Sequence, residues 1–202
     1  KLIDLDVSWA TPETVHQHIR PKTSLVICET PANPTLNLID ISHVVKQAAH
    51  ASVVVEFGSG TGVFTEKILE KVSVDASAIA LEINPAFVKE TRRRCPQATV
   101  FHDSAINTAR YLKGAGVKQC DRIICGLPWA CFSHSLQDQL LDTVQEVLTP
   151  GGKFLTFAYL HGLLLPSGKR FKKCLSSRFE KIVETPIIWR NLPPAFVYCA
   201  ER

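Results

Sequence analysis

The strongest constraint on the fold is the run Val53-Val54-Val55-Glu56-Phe57-Gly58-Ser59-Gly60-Thr61-Gly62. An unbroken β-branched series suits a strand covered on both faces, as happens inside a parallel sheet. Three glycines at alternate positions then turn the chain and let a ligand approach main chain that a side chain would block. From Val53 onward, apolar runs of strand length alternate with amphipathic stretches of helix length, so the expected class is α/β with βαβ units. Seven strands are predicted: Val53–Phe57, Ala78–Glu82, Ala98–His102, Asp121–Cys125, Lys153–Tyr159, Phe179–Ile188 and Pro194–Ala200.

Helix starts are marked locally. Thr61 with Gly62 follows the first strand, Asn84 is an N-cap with Pro85 at the first helical position, and Ser167 precedes a basic stretch. Leu148-Thr149-Pro150-Gly151-Gly152 reads as a helix stop and a tight turn into a strand. Residues 1–50 contain no glycine and read as an N-terminal βα extension: helix Pro12–Ile19 capped by Thr11, strand Ser24–Glu29, a loop at 30–35 and helix Ile41–His50. A length of 202 residues allows one α/β domain, here 51–202, with that extension as a segment and no second core.

A hydrophobic fraction of 46% with 21% charged residues excludes a disordered chain. No run reaches the length of a membrane span and Lys1–Ala10 lacks the apolar stretch of a secretory signal, so a cytoplasmic location is expected. Seven cysteines without a C-x-x-C pair fit neither a disulfide framework nor a zinc site, and no metal is expected. Lys169, Arg170, Lys172, Lys173, Arg178 and Lys181 crowd one short region. They are either a contact for phosphates of lipid or nucleic acid, or a solvated helix face.

The G-x-G-x-G spacing, with Glu56 two positions before Gly58, differs from the G-x-G-x-x-G of dinucleotide enzymes. It favours S-adenosylmethionine, which has no pyrophosphate to seat on a helix N-terminus. Glu82 closes the second strand, twenty positions after Gly62, where a carboxylate can take both ribose hydroxyls. Asp103 with Ser104 follows the third strand, placed for the adenine amino group, and Gly126-Leu127-Pro128-Trp129 follows the fourth. All lie at the carboxyl ends of strands, where an open α/β sheet binds its ligand. The expected cofactor set is Glu56, Phe57, Gly58, Ser59, Gly60, Gly62, Glu82, Ile83, Asp103 and Ser104.

The strings VVEFGSGTGVFT at 54–65, ALEINPAFV at 80–88, GLPWACF at 126–132, LTPGGKFLTFAYLHGLLLP at 148–166 and WRNLPPAFVY at 189–198 resemble the Rossmann-like class I methyltransferases. The nearest resemblance is to the bacterial phospholipid N-methyltransferase family and to rRNA adenine dimethylase-like proteins. It implies a seven-stranded, mostly parallel sheet with helices on both faces, S-adenosylmethionine as cofactor, S-adenosylhomocysteine as product, and an acceptor facing Gly126–Trp129. Residues 19–41, IRPKTSLVICETPANPTLNLIDI, resemble the pyridoxal-phosphate enzymes of cysteine and methionine metabolism instead. The next strand runs into the glycine loop and the part that would bring the Schiff-base lysine is absent, so pyridoxal phosphate is not expected. The chain reads as a fusion with its seam near His50-Ala51-Ser52.

Methyl transfer is an in-line displacement, so the protein mainly aligns a neutral nucleophile and excludes water. The carbonyls of Gly126, Leu127 and Pro128 are candidates to accept hydrogen bonds from an acceptor amine, and the Trp129 face to hold its developing positive charge. Tyr159 and His161 are candidates to orient the head group or accept a proton, or else a packed tyrosine and a satisfied histidine. Gly126 stands where adenine-modifying relatives carry Asn or Asp, which makes nucleic acid the lesser partner. Three readings stay open: a phospholipid amine methyltransferase working peripherally at the inner membrane, an RNA (adenine) or protein methyltransferase, and a cofactor-binding module without turnover. The run Leu25-Val26-Ile27-Cys28 is too apolar to stay exposed, so residues 1–50 either add to a sheet edge, pack as a lid over the cofactor or pair with a second chain as a homodimer, the last being slightly favoured.

Overall fold

The structure is a computed structural model that describes residues 51–191 and 193–202. The expected helix Pro12–Ile19, strand Ser24–Glu29 and helix Ile41–His50 lie outside the described residues. Seven strands form one sheet: β1 Val53–Phe57, β2 Ser77–Glu82, β3 Thr99–His102, β4 Cys120–Cys125, β5 Leu148–Tyr159, β6 Lys181–Glu184 and β7 Ala195–Glu201. Their order is β3-β2-β1-β4-β5-β7-β6. The first five run parallel, while β7 enters antiparallel between β5 and β6.

Among the described residues the helices are α1 Val63–Leu69, α2 Pro85–Arg94, α3 Thr108–Gly114, α4 His134–Val147 and α5 Pro166–Arg178. They cover both faces of the sheet. Val55 and Phe57 of β1 pack with Leu112 of α3, Leu141 of α4 and Leu175 of α5, whereas Val54 packs with Ile68 of α1. Val88 of α2 joins Ala80 and Val100 in a third cluster. This is why β1 is apolar at successive positions: each face of the strand meets its own core. Each fully buried side chain of this size contributes about 1.5–3 kcal/mol.

Three boundaries differ from the sequence reading. Helix α5 begins at Pro166 with Leu165 as N-cap, so Ser167 is not the cap; its hydroxyl reaches across to the Ala130 carbonyl instead. Residues 148–152 do not separate helix from strand. Cys120 pairs with Leu148 and Arg122 with Lys153, so Thr149-Pro150-Gly151-Gly152 bulge out of β5 opposite the single residue Asp121. The strand expected at Phe179–Ile188 is paired only over Lys181–Glu184. Phe179 still closes α5 through its N–H, Pro186 has no N–H to give, and Ile188 makes one isolated bridge to Ala195.

Candidate active site

Four loops leave the carboxyl ends of β1 to β4 and are stitched together by main chain. The Gly58 N–H donates to Leu81 O over 2.8 Å, Asp103 N–H to Glu82 O over 3.1 Å and Gly126 N–H to Phe57 O over 2.8 Å. The strand order reverses between β1 and β4, so the loops Gly58–Gly62 and Gly126–Trp129 flank the topological switch point.

The three glycines of the first loop all have positive φ, but they do different things. A Cβ at Gly58 would stand 2.7 Å from Leu127 Cδ2, and one at Gly62 would stand 3.0 Å from Thr91 Cα. Those two are glycine because the loop packs tightly on its neighbours. Gly60, with φ +53°, would meet nothing within 4 Å, so it alone of the three faces open space. Its N–H donates to Glu82 Oε2 over 3.0 Å, while the Asn84 N–H donates to Oε1 over 2.8 Å. Glu82 thus ties the glycine loop to the start of α2 and keeps further lone pairs on each oxygen for hydroxyls.

Beside it Ile83 is 71% exposed, an apolar surface at the mouth of the loops, and its carbonyl contacts His102 Nε2 at 2.9 Å. Asp103 is the most elaborately held acid of the site. Its Oδ1 accepts from Ser104 N–H and Asn107 Nδ2, its Oδ2 accepts from the Tyr111 hydroxyl, and these bonds hold its carboxyl below the usual range. Ser104 caps a short 3-10 turn, accepting from the Ile106 N–H.

Other expected contacts point elsewhere. Phe57 is fully buried in the core, and at this edge it offers only its carbonyl. Ser59 is buried with its hydroxyl 3.2 Å from Thr91 Oγ1. Glu56 lies beneath the loop and accepts from Thr65 Oγ1 over 2.6 Å; burial pushes its carboxyl up to about 7. Trp129 is 4% exposed, stacks on Phe171 at 4.3 Å and donates to Thr156 Oγ1 over 2.8 Å. The role expected for its ring as a cradle for positive charge is therefore corrected: the face is covered by Phe171, and Trp129 anchors the acceptor loop from below. Leu127 O and Pro128 O close turns on the Trp129 and Cys131 N–H groups, which leaves Gly126 O as the carbonyl of this run that closes no turn. Tyr159 and His161 stack at 5.6 Å at the end of β5.

Of the two readings of the basic stretch, the ion pairs favour the solvated helix face. Arg170 pairs with Asp138 at 2.5 Å, Arg178 with Asp138 and Asp142, Lys172 with Glu184 at 2.8 Å and Lys181 with Glu201. Four of the six cations thus meet carboxylates of the same fold rather than forming a free phosphate-binding face. Sequence reasoning missed Asn107, Tyr111 and Thr91. The first two follow Asp103 at positions +4 and +8, a spacing that places them on one helical side and was readable as such.

Sheet order, switch point and an open glycine beside a strand-end carboxylate define a Rossmann-like enzyme that binds a nucleoside cofactor. A model described as "Methyltransferase domain" matches residues 54–152. An ornithine lipid N-methyltransferase of Singulisphaera acidiphila is 30% identical over 171 residues, covering 83% of this chain and 84% of that protein. The chain belongs to the class I S-adenosylmethionine-dependent methyltransferases, the family of that relative. The fold agrees with solved structures: an O-methyltransferase from Bacillus cereus in complex with SAH has a TM-score of 0.67 at 13% identity, covering 85% of this chain and 82% of that one. N-methyltransferase NodS from Bradyrhizobium japonicum has a TM-score of 0.64 at 12% identity, covering 86% and 99%.

Residues 3–79 also match a "Cys/Met metabolism PLP-dependent enzyme" model. An L-methionine gamma-lyase of Brevibacterium aurantiacum is 42% identical over 55 residues, which are 27% of this chain and 14% of that enzyme. The described part of that match, 51–79, folds as β1, α1 and the start of β2 of the methyltransferase sheet. S-adenosylmethionine is the cofactor. The site fits it: Gly60 leaves space where a Cβ would intrude, Glu82 faces the same loop, and Ile83 supplies an exposed apolar surface beside them.

Proposed function

We propose that this methyltransferase N-methylates a phospholipid amine, a head group of the phosphatidylethanolamine kind. The observation that carries the reading is the 30% identity along 171 residues to a protein named as the N-methyltransferase of an ornithine lipid. Gly126, standing where adenine-modifying enzymes carry Asn or Asp, favours this reading over RNA.

When bound, the cofactor supplies a methyl group on a sulfonium. The chain's own residues do the rest. Glu82 receives the ribose hydroxyls and Asp103 the adenine amine, each already oriented by main chain or by Tyr111. Gly126 O accepts an N–H of the incoming amine and so points its lone pair along the transfer line. Leu127 and Phe157 border this position, the first against Gly58 and the second against Gly126, and exclude water from it. The Tyr159–His161 pair at the end of β5 takes the proton released by the methylated amine. On this reading the enzyme works peripherally at the cytoplasmic face of the inner membrane; no helix among the described residues is long and apolar enough to cross it.

The test offers labelled S-adenosylmethionine with phosphatidylethanolamine vesicles, with rRNA and with protein extract in separate reactions. Label is expected in the lipid phase. Label in RNA or protein alone would replace this acceptor by the corresponding alternative.

A further inference from the structure

Few large apolar side chains are exposed among the described residues, and three of them stand at one end of the sheet: Leu164 at 76%, Leu165 at 44% and Trp189 at 68%. Their segments leave the same place. Tyr159 at the end of β5 pairs with Ala195 at the start of β7, Ile188 bridges to the same Ala195, and the Leu160 N–H donates to Pro194 O over 2.8 Å. This is the carboxyl edge of β5, next to the acceptor loop. Ser167 reaches the Ala130 carbonyl, and a Cβ on Gly162 would touch Ala130 Cβ at 3.5 Å.

The exposure is built in rather than a frayed end. Residues 160–164 form a 3-10 helix whose Gly162 carbonyl receives the Leu165 N–H over 3.1 Å. Gly168 of α5 presses so closely on Gly162 that no Cβ fits between them. The turn is clamped at its base with two leucines at its outer side. Around it stand the cations that the ion-pair network leaves out: Lys169, one helical turn after Leu165, and Arg190, beside Trp189, are exposed and pair with no carboxylate among the described residues.

We propose that Leu164, Leu165 and Trp189 form an apolar rim that enters the interfacial layer of an anionic phospholipid bilayer, with Lys169 and Arg190 at the depth of the phosphates. The occupant is identified by charge and by side-chain type. Tryptophan and leucine flanked by unpaired Lys and Arg match a layer that is apolar below and anionic above. The rim adjoins the loop that receives the acceptor, so a lipid amine would pass to Gly126 without leaving the surface. Only this last step rests on the lipid-acceptor reading; binding of the bilayer does not.

The experiment uses the full chain with vesicles of phosphatidylglycerol and phosphatidylethanolamine. The parent is expected to float with them, and the variant L164S/L165S/W189S to lose about tenfold or more of that binding while keeping its affinity for S-adenosylhomocysteine. K169E/R190E should lose binding to anionic vesicles and not to neutral ones. Transfer to vesicle lipid should fall in the triple variant, and transfer to a short-chain lipid dissolved as monomers should not. Equal flotation of parent and triple variant overturns the rim. So does a parent dimer that the triple variant loses, since the face then serves a second copy. Rim-dependent flotation without methylation of any lipid would keep the rim and discard the acceptor.

Discussion

The Tyr111 hydroxyl donates to Asp103 Oδ2 over 2.6 Å, so the acid expected to meet the adenine is oriented by a side chain eight positions further along the chain. Tyr111 is itself fixed by stacking on Phe101 at 4.0 Å. Tyr111→Phe keeps that stack and removes only the donor. Affinity for S-adenosylhomocysteine should then fall a few-fold. The Asp103 carboxyl, held low first by Tyr111 and then by Asn107 and Ser104, should titrate higher and move the acid limb of binding upward in pH. Calorimetry across pH 4 to 7 giving the same affinity and limb in both proteins would remove Tyr111 from this role.

Gly60→Val places a branched side chain in the open space beside Glu82 at a φ of +53°. Glu82→Ala removes the acceptor of two backbone N–H groups. Each should weaken S-adenosylhomocysteine by roughly tenfold or more. Glu82→Ala should in addition lower the melting temperature, because the Gly60 and Asn84 N–H groups lose their partner. Unchanged affinity in both variants would contradict the placement of the cofactor.

Arg170 and Lys169 are neighbours with opposite expectations. Arg170 meets Asp138 and Gln137 across the α4–α5 seam, so Arg170→Ala should lower the melting temperature by roughly 3 °C. Lys169→Ala and Lys173→Ala should leave it unchanged. A thermal scan in which all three behave alike would show that the ion-pair network does not stabilise this face.

The Glu56 carboxyl lies at about 7 in the folded chain, raised first by burial, against an ordinary value of 4.5 when unfolded. A carboxyl raised by folding favours the folded state while protonated. That stability is full below about 4.5 and is lost as pH rises through about 7. Glu56→Gln keeps an acceptor for Thr65 and removes the buried charge. It should match the parent near pH 4.5 and exceed it at pH 8.5, by up to about 3 kcal/mol. Denaturant titrations giving a constant difference across that range would refute the assignment.

What was readable in the sequence was what is decided locally. The strand Val53–Phe57, the turn of glycines and the Asn84–Pro85 helix start are each set by residues within one turn of each other, and each stands where it was expected. Trp129 was misjudged because its partners, Thr156 and Phe171, lie 27 and 42 positions on. The basic stretch stayed open between two readings for the same reason: the carboxylates that meet Arg170 and Arg178 sit on α4. Glu82 was placed correctly at a strand end, but its bond to Gly60 needs the β1–β2 register, which no local pattern reveals.

For the N-terminal segment the relevant finding is that β1 already has β2 and β4 at its sides. With both sides of β1 taken, exchange of residues 1–50 between two chains stays a proposal. Deletion of residues 1–49 should convert a dimer to a monomer in sedimentation. A parent that is monomeric at all concentrations excludes the exchange.

Strand β7 is later in the chain than both of its neighbours, yet it lies between them. During synthesis, β6 therefore emerges with nothing to pair with, and β5 presents an open edge until Ala195–Glu201 have left the ribosome. The open edge of β5, Phe154–Tyr159, is an apolar strand edge while it waits for its partner. A stalled or prematurely terminated product would be a ready substrate for chaperones and for aggregation, whereas the last seven-residue strand seals the sheet in a single step.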